Sequence, residues 1–457
     1  MTRVLIVGAG PAGIRAAETL VAAGLCPVVV DEGARAGGQI YRRPPEGFLR
    51  PPRTLYGSEA GKAMNLHETF DALVRDRQID YHPRCSVLGL QDGSAQVLSP
   101  DGVLSLPYDC LLLAPGATDR LAPVPGWQMA GVYTLGAAQI ALKSQGVALG
   151  RRIVLAGSGP LLTLVASQLI AAGATVAAVL DTAPWRAQVR GGIGMALARP
   201  GVTLRGLRLR IGLGRRYSAG VNLTGIEGDG SGPAAITWRD AGGRHHRTPC
   251  DTVALGWHLR AETALADLAG AEFAWSDTWA QWLPRTDMAG RVRDGLYLAG
   301  DGMCLLGADG AEIAGRLAAR ACLADLGHPV DTGEQDGDIR RMRRMARFAK
   351  AVAAAFPWPA EMVRAVPDGA VLCRCEGITA GELRRSLSLS GKEANRAKSL
   401  SRVGMGRCQG RYCQIAGAEV MAAQAGCDPA SVGRLRTQPP VRPAPLGLLA
   451  ARADARE

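Results

Sequence analysis

A chain of 457 residues exceeds the length at which one hydrophobic core usually stops growing, so two or three domains are expected. An apolar share of 47% with 21% charged residues is that of an ordinary soluble globular protein, and 5% aromatics beside 59 glycines argue against aromatic stacking on nucleic acid. The net charge of +12 comes from 53 basic and 41 acidic residues, but the arginines are scattered through helices and the tail without a dense basic block; solvated arginine is the plainer reading, and nucleic-acid binding is not expected.

The apolar run Val4 to Val7 leads straight into a glycine loop, so no signal peptide is legible and the chain is expected to be cytoplasmic. Val4-Leu5-Ile6-Val7 reads as a buried parallel strand, Gly8 to Gly13 as a turn, and the pattern through Ala16, Leu20 and Val21 as a helix. A second strand, Val28 to Val30, ends at Asp31-Glu32, completing a βαβ unit. Cys110 to Leu113 followed by Ala114-Pro115-Gly116-Ala117 reads as a strand closed by a glycine turn. From Ile153 to Leu180 there is no charge, and the stretch is long enough to span a bilayer. Gly157-Ser158-Gly159-Pro160 and Gly173 divide it into strand, helix to about Ala172 and second strand ending at Asp181, so a buried βαβ unit is expected and no membrane span. His245-His246 falls in a polar, turn-like stretch. Leu296 to Leu298 is a further strand ahead of Gly300-Asp301, with a small-residue helix from Ala308 to about Leu326. Past His328, acids followed by arginines suit the dipole of a connecting helix, which Phe356-Pro357-Trp358-Pro359 ends. The proline-bearing tail from Gln438 is expected to be extended and to wrap a neighbour.

This layout predicts an α/β fold with two doubly wound dinucleotide-binding domains, the second inserted in the first, and a small α-rich C-terminal module. The expected boundaries are 1–122 and 286–328 for the first domain, 123–285 for the inserted one, 329–366 for the connecting helix, 367–430 for the cysteine module and 431–457 for the tail.

Gly8, Gly10 and Gly13 complete G-x-G-x-x-G between a strand and a helix, with Pro11 and Ala12 inside the motif. The first glycine allows the tight turn, the second lets backbone approach a pyrophosphate, and the third lets helix and strand pack closely. Asp31 or Glu32 is placed to take ribose hydroxyls. Gly37-Gly38-Gln39 follows the acids, and Gly300-Asp301 lies far downstream. The combination resembles the flavoprotein family that includes glutathione and thioredoxin reductases, over roughly residues 1–326. The resemblance implies FAD, with Gly38, Gln39, Ala114, Gly116, Gly300 and Asp301 among its contacts. In the second unit Gly157 and Gly159 are present, but Leu162 stands where the third glycine belongs. A nicotinamide dinucleotide, NAD(P), therefore fits poorly despite Asp181, and a retained structural domain or one for another adenine nucleotide is expected. A catalytic cysteine pair beside the flavin is missing as well: none of Cys26, Cys85, Cys110, Cys250, Cys304 or Cys322 has a partner at the spacing that disulfide reductases use.

An odd count of 11 cysteines argues against a disulfide framework. Cys373 and Cys375 form C-x-C, Cys408 and Cys413 form C-x4-C, and four thiolates in two tight pairs can hold zinc or a [2Fe–2S] cluster. Cys373-Arg374-Cys375-Glu376, Ile378 to Leu383 and Gly404 to Gly410 resemble the bacterioferritin-associated-ferredoxin type of domain, which implies the [2Fe–2S] cluster. The second pair is C-x2-C in that domain and C-x4-C here, a spacing similar to the version fused to flavoprotein subunits of amino-acid dehydrogenases. None of the six histidines lies in a recognised motif, so no catalytic residue is assigned and the substrate chemistry is expected on another chain.

Taken together, the chain resembles the A (alpha) subunits of opine oxidases and dehydrogenases, of D-hydroxyproline dehydrogenase and of hydrogen cyanide synthase, and part of the alpha subunit of heterotetrameric sarcosine oxidase. That resemblance implies an electron-transfer subunit working with a beta subunit of the D-amino-acid-oxidase type that oxidises an amine or imino acid. It also implies an FMN at the interface between the two, a downstream electron acceptor and a small gamma subunit. The competing readings are an NAD(P)H-dependent flavin and iron–sulfur reductase acting alone, and a non-catalytic iron-sensing module.

Overall fold

The computed structural model describes residues 2–450. The first sheet opens with Val4–Val7 (β1), Pro11–Ala22 (α1), Val28–Asp31 (β2), Asp80–Pro83 (β3) and Cys110–Leu113 (β4). The chain then builds a second sheet from Val132–Thr134 (β5), Ile153–Ser158 (β6), Val176–Asp181 (β7), Tyr217–Ala219 (β8) and Thr252–Trp257 (β9). Helices Pro160–Ala171 (α2), Trp185–Ala198 (α3) and Pro200–Leu213 (α4) belong to this excursion. The return supplies Arg291–Arg293 (β10), Leu296–Leu298 (β11) and Gly307–Asp325 (α5).

The strand order is β10-β11-β4-β1-β2-β3 in the first sheet and β8-β7-β6-β9-β5 in the second. All pairs are parallel except the β10–β11 edge. Every residue of β1 and β4 is buried, as strands covered by helices on both faces must be. The uncharged stretch Ile153 to Leu180 is the βαβ unit β6-α2-β7, and among the described residues no helix is long and apolar enough to cross a membrane.

Two close approaches shape the first domain. A Cβ at Gly13 would overlap the carbonyl oxygen of Gly8, and one at Gly315 of α5 would overlap that of Ala12. Helix α1 is thereby pressed against both the glycine turn and α5, so the start of the chain and residues 300–325 share one site. In the second domain Leu162 is fully buried among Leu155, Val165 and Leu169, a side chain where the first domain has a bare Cα.

Thr332–Ala355 (α6) is the connecting helix, capped by Asp331, whose carboxylate accepts from the backbone N–H groups of Gly333 and Glu334. It packs along α3, where Gly191 leaves no room for a Cβ against Ala355. The C-terminal module comprises Val371–Cys373 (β12), Ile378–Thr379 (β13), Ala380–Ser390 (α7), Ala394–Ser401 (α8) and Gln414–Ala425 (α9). Thr379 and Glu382 close a reciprocal capping box at the start of α7.

One local expectation is corrected: His245-His246 is strand, not turn, pairing with Trp238-Arg239, with the His246 ring stacked on Trp238 at 4.3 Å. The described part of the tail makes contacts to its own chain, where the Val441 N–H donates to Leu88 O at 2.8 Å and Arg442 pairs with Glu32.

Candidate functional site

Strand β1 ends in a cradle built from backbone. Gly8 has φ +106°, and a Cβ there would overlap Ala114 O at the end of β4. Gly10 and Gly38 face each other: a Cβ on Gly38 would stand 3.0 Å from the Cα of Gly10, and one on Gly10 3.7 Å from the Cα of Gly38. The Gly37 N–H donates to Ala9 O at 2.8 Å, which pins the Gly37-Gly38-Gln39 loop over the turn. Helix α1 begins at Pro11 with no side chain capping it, so its first N–H groups face the cradle, the arrangement that receives a phosphate.

The two acids after β2 have separate duties. Asp31 accepts from Ala9 N–H at 2.5 Å and Gly33 N–H at 2.6 Å, and burial pushes its carboxyl above the usual range. Glu32 is exposed and holds Arg442 of the tail. Asp31 thus shapes the glycine loop, and one lone pair on each of its oxygens remains for a ribose. Gly300-Asp301 arrives from the other end of the chain. A Cβ on Gly300 would lie 3.0 Å from that of Ala12, and Asp301 is half-buried, its Oδ1 accepting from the N–H groups of Leu306 and Gly307 at 2.9 and 3.0 Å. Gly116, with φ +74°, gives its carbonyl to Glu262 N–H at 3.0 Å. Gly8, Gly10, Gly13, Asp31, Gly38, Ala114, Gly116, Gly300 and Asp301 therefore surround one cleft able to hold a dinucleotide.

The second glycine turn is covered. Gly159 has φ +107°, and the His258 ring lies over it, 3.1 Å from where a Cβ would stand. His258 Nε2 bonds Phe356 O at 2.7 Å, which draws the linker after α6 onto the same spot. Arg120 locks that linker: its guanidinium lies 3.8 Å over the Trp358 ring and donates to Trp279 O at 2.6 Å and Ala280 O at 3.1 Å. Asp181 is fully buried and already accepts from Tyr217 OH at 2.7 Å and Ala183 N–H at 2.8 Å. A nicotinamide dinucleotide approaching this turn meets a side chain at Leu162, a committed acid at Asp181 and a lid of the protein's own chain.

Two histidines give this packing a pH signature. Burial pushes His67, bonded to Tyr41 O at 2.8 Å, and the half-buried His258 each down to about 4 from 6.5. Between those values the unfolded chain binds more protons at each, so their contribution to stability falls as pH falls. Burial raises Asp181 to about 6 and also raises Asp31, Asp119 and Asp301, whose protonation in the folded state acts in the opposite sense. The histidine part is therefore read by difference: between about pH 6.5 and pH 4, His258→Asn should lose up to about 1.4 kcal/mol per pH unit of the wild-type slope of stability against pH. Parallel urea-midpoint profiles for the two proteins would contradict it.

The cysteine module gathers its four thiols. Cys373 ends β12, Cys375 sits in the following turn, Cys408 lies in a glycine-rich loop, and Cys413 caps α9. Cys373 and Cys413 are buried with their thiols beside each other, and the exposed Cys375 lies beside the half-buried Cys408 in the same way. Backbone N–H groups of Gly404, Glu376 and Cys375 point at the Cys373 sulfur, and those of Tyr412 and Gly410 at Cys408. A side chain at Gly406 would collide with Cys375. The Cys413 thiol, more than burial or the backbone donors, draws Cys373 down to about 6. Among the described residues no three or more His, Cys, Asp or Glu groups surround a point fit for a single metal ion. Four thiols in two close pairs are instead a donor set that would fit an iron–sulfur cluster.

The module docks beside the dinucleotide cleft. Glu262, which touches Gly116 through its N–H, receives Arg411 of the Cys408–Cys413 loop at 2.7 Å and Arg442 at 3.6 Å. Asp267 takes both Nη atoms of Arg434 at 2.7 Å, and Trp127 Nε1 donates to Val371 O at 2.6 Å. A cavity of about 190 Å³ lies along this seam, with Trp275 and Trp282 facing Gln409 and Gln414.

Sequence spacing missed the linker over the second turn and the meeting of Cys110 with Cys322. These two are 212 positions apart, and their thiols touch in the core at the end of β4 away from the glycine cradle. The contact is non-local, and only the packing of α5 on β4 reveals it.

Two parallel sheets, a glycine cradle at the first and a distal Gly-Asp turn joining it define a two-dinucleotide-domain flavoprotein of the FAD-binding kind. Residues 2–317 match the family model of pyridine nucleotide-disulphide oxidoreductases, and residues 375–453 match the sarcosine oxidase A3 domain. The chain is 38% identical to the A subunit of opine oxidase from Rhizobium meliloti, over 98% of its own length and 87% of that protein's. It is 31% identical to hydrogen cyanide synthase subunit HcnB of Pseudomonas aeruginosa, over 97% of each. It belongs to the family of opine oxidase A subunits, and it is an oxidoreductase subunit. The crystal structure of L-proline dehydrogenase from P. horikoshii shares the fold with a TM-score of 0.72 at 18% identity, covering 98% of this chain and 80% of that one.

Proposed function

We propose that this chain is the FAD- and [2Fe–2S]-carrying electron-transfer subunit of a heteromeric dehydrogenase for a secondary amine or imino acid, with the substrate oxidised on a partner subunit. The observation that carries the reading is the convergence of four cysteine sulfurs on a loop whose Arg411 reaches Glu262, the neighbour of Gly116. When bound, FAD takes electrons in pairs and can release them one at a time, and the cluster carries them singly, so together they would match a two-electron donor to a one-electron acceptor. The backbone at Gly8, Gly10 and Gly13 and the first turn of α1 would receive the pyrophosphate, Asp31 the ribose, and Gly38, Gln39, Gly300 and Asp301 the rest of the flavin nucleotide. Cys373, Cys375, Cys408 and Cys413 would hold the irons, and the N–H groups aimed at their sulfurs would favour the reduced cluster.

Among the described residues no acid–base pair stands in the cleft for breaking a C–H bond beside nitrogen. That supports placing the chemistry on a beta subunit of the D-amino-acid-oxidase type, with FMN at the shared interface and with a small gamma chain completing the assembly. The relatives are by name subunits of opine oxidase, hydrogen cyanide synthase and sarcosine oxidase, which supports a heteromeric assembly. The test is to purify the chain with and without its native partner, measure iron and flavin, and screen opines, D-amino acids, proline derivatives, sarcosine and glycine with an artificial dye. Turnover that needs both chains is expected; turnover by this chain alone would overturn the assignment.

The covered second turn yields a further expectation. In stopped flow, NADH or NADPH leaves the flavin of the purified chain oxidised on the timescale of dye-linked turnover. Rapid bleaching would restore the stand-alone reductase.

A further inference from the structure

Helices α3 and α4 follow β7 and turn on Arg199-Pro200. They are held from behind, α3 by α6 and α4 by α2, while Arg199 pairs with Asp309 and Arg205 with Glu59. Their outward sides are apolar. On α3, Trp185, Val189, Ile193 and Leu197 recur every four residues and are exposed, Leu197 to 83%. On α4, Leu204, Leu207 and Ile211 recur at three and four residues, with Ile211 68% exposed. Core-facing stripes have this spacing, yet here the stripes face outward. From Thr182 to Ile226 the chain has no Asp or Glu and no Lys, but eight arginines: 186, 190, 199, 205, 208, 210, 215 and 216. Arg186, Arg190, Arg208, Arg215 and Arg216 make no ion pair among the described residues.

We propose that the α3–α4 hairpin is a membrane-surface anchor, which lays its aliphatic stripes into the interface of an anionic bilayer with its free arginines among the lipid phosphates. Trp and aliphatic residues on one side with arginine beside them is the composition of helices that lie in the headgroup plane. Each helix has 14 residues, roughly 21 Å at 1.5 Å per residue, too short to span the hydrocarbon and suited to lying along it. Uniform charge over the whole hairpin selects the occupant. A second copy of this surface would set arginine against arginine. A protein partner would need an acidic patch matched in outline to this hairpin, whereas an anionic bilayer presents negative charge everywhere and meets arginines spread over both helices without such a match. Of the six glycines of α3 and α4, Gly191 and Gly194 pack on α6, whereas Gly192, Gly201, Gly206 and Gly212 have open space about them and keep the outer backbone low.

The test is co-sedimentation of the full-length, flavin-loaded chain with vesicles of phosphatidylcholine alone or mixed with phosphatidylglycerol. Binding to the mixed vesicles is expected, weak on the neutral ones and reversed by salt. Leu197→Asp combined with Ile211→Asp should cut the bound fraction at least about tenfold, as should Arg186→Glu with Arg190→Glu. Brominated lipid should quench tryptophan emission in the wild-type chain and markedly less in Trp185→Phe. Flavin absorbance and the thermal midpoint report whether each variant folds, and the Arg→Glu pair, confined to exposed side chains, decides the matter if the Leu197/Ile211 pair does not fold. Failure to sediment with anionic vesicles overturns the proposal, and so does sedimentation unchanged in folded variants. Loss of molar mass in light scattering by a variant that still binds vesicles would instead assign the hairpin to a protein interface.

Discussion

Gly10→Val purifies as a folded, colourless protein. Gly10 has φ −81° and ψ −174°, extended backbone that valine adopts freely, and its added Cβ meets nothing closer than the Cα of Gly38 at 3.7 Å. The polypeptide therefore tolerates the side chain, and on the proposed reading its methyl groups fill the space beside Gly10 that the pyrophosphate would take. Flavin retained through gel filtration should fall at least about a hundredfold, or about 2.7 kcal/mol of binding. Gly13→Val is the contrasting case. Its Cβ would strike the Gly8 carbonyl, so α1 must move off β1, and loss of soluble protein is expected along with loss of flavin. Visible absorbance and circular dichroism on the two variants separate the effects. A yellow Gly10→Val protein would mean that the cradle is a structural turn and the flavin lies elsewhere.

Those two glycines also mark what a linear reading delivers. The G-x-G-x-x-G turn, the strand before it and the acid after β2 lie within one local unit, where spacing translates directly into geometry. The uncharged Ile153 to Leu180 stretch divides into strand, helix and strand because its glycines interrupt it. Leu162 signals a defective second turn. The lid over that turn is out of reach, because the contact of Phe356 with His258 depends on α6 running the length of α3. Equally hidden are the roles of Asp31 and Glu32, which stand as equals in the sequence. One folds the loop and the other holds a tail residue 410 positions away. The arginines of α3 and α4 read as scattered when charge is weighed over the whole chain. Exposure of the aliphatic residues beside them, a property of packing, is what gives them a common surface.

The largest functional effect is expected from Cys373→Ser. The residue is fully enclosed, its sulfur touches that of Cys413, and three backbone N–H groups converge on it. A hydroxyl at that position is a far poorer iron ligand than a thiolate and sits further from the donors that favour a negative sulfur. Iron should fall below about one tenth of the wild-type content, and dye-linked turnover in the partnered complex by about a hundredfold or more. Flavin should remain, because the module is fastened to the body by contacts that do not involve sulfur: Arg411 on Glu262, Arg434 on Asp267 and Trp127 on Val371 O. Cys413→Ser should match it. Cys427→Ser should do neither, since that thiol stands outside the four and belongs to the turn after α9. Iron analysis, flavin absorbance and turnover measured on one preparation distinguish three outcomes. Loss of iron with loss of turnover places the cluster on the exit route. Loss of iron with full turnover takes the cluster off that route, and full iron removes Cys373 from the ligand set. The route itself then rests on Glu262, whose backbone N–H bonds Gly116 O and whose buried carboxylate receives Arg411 of the cysteine loop. If electrons leave along that seam, Glu262→Gln should slow exit while iron and flavin contents stay at their wild-type values.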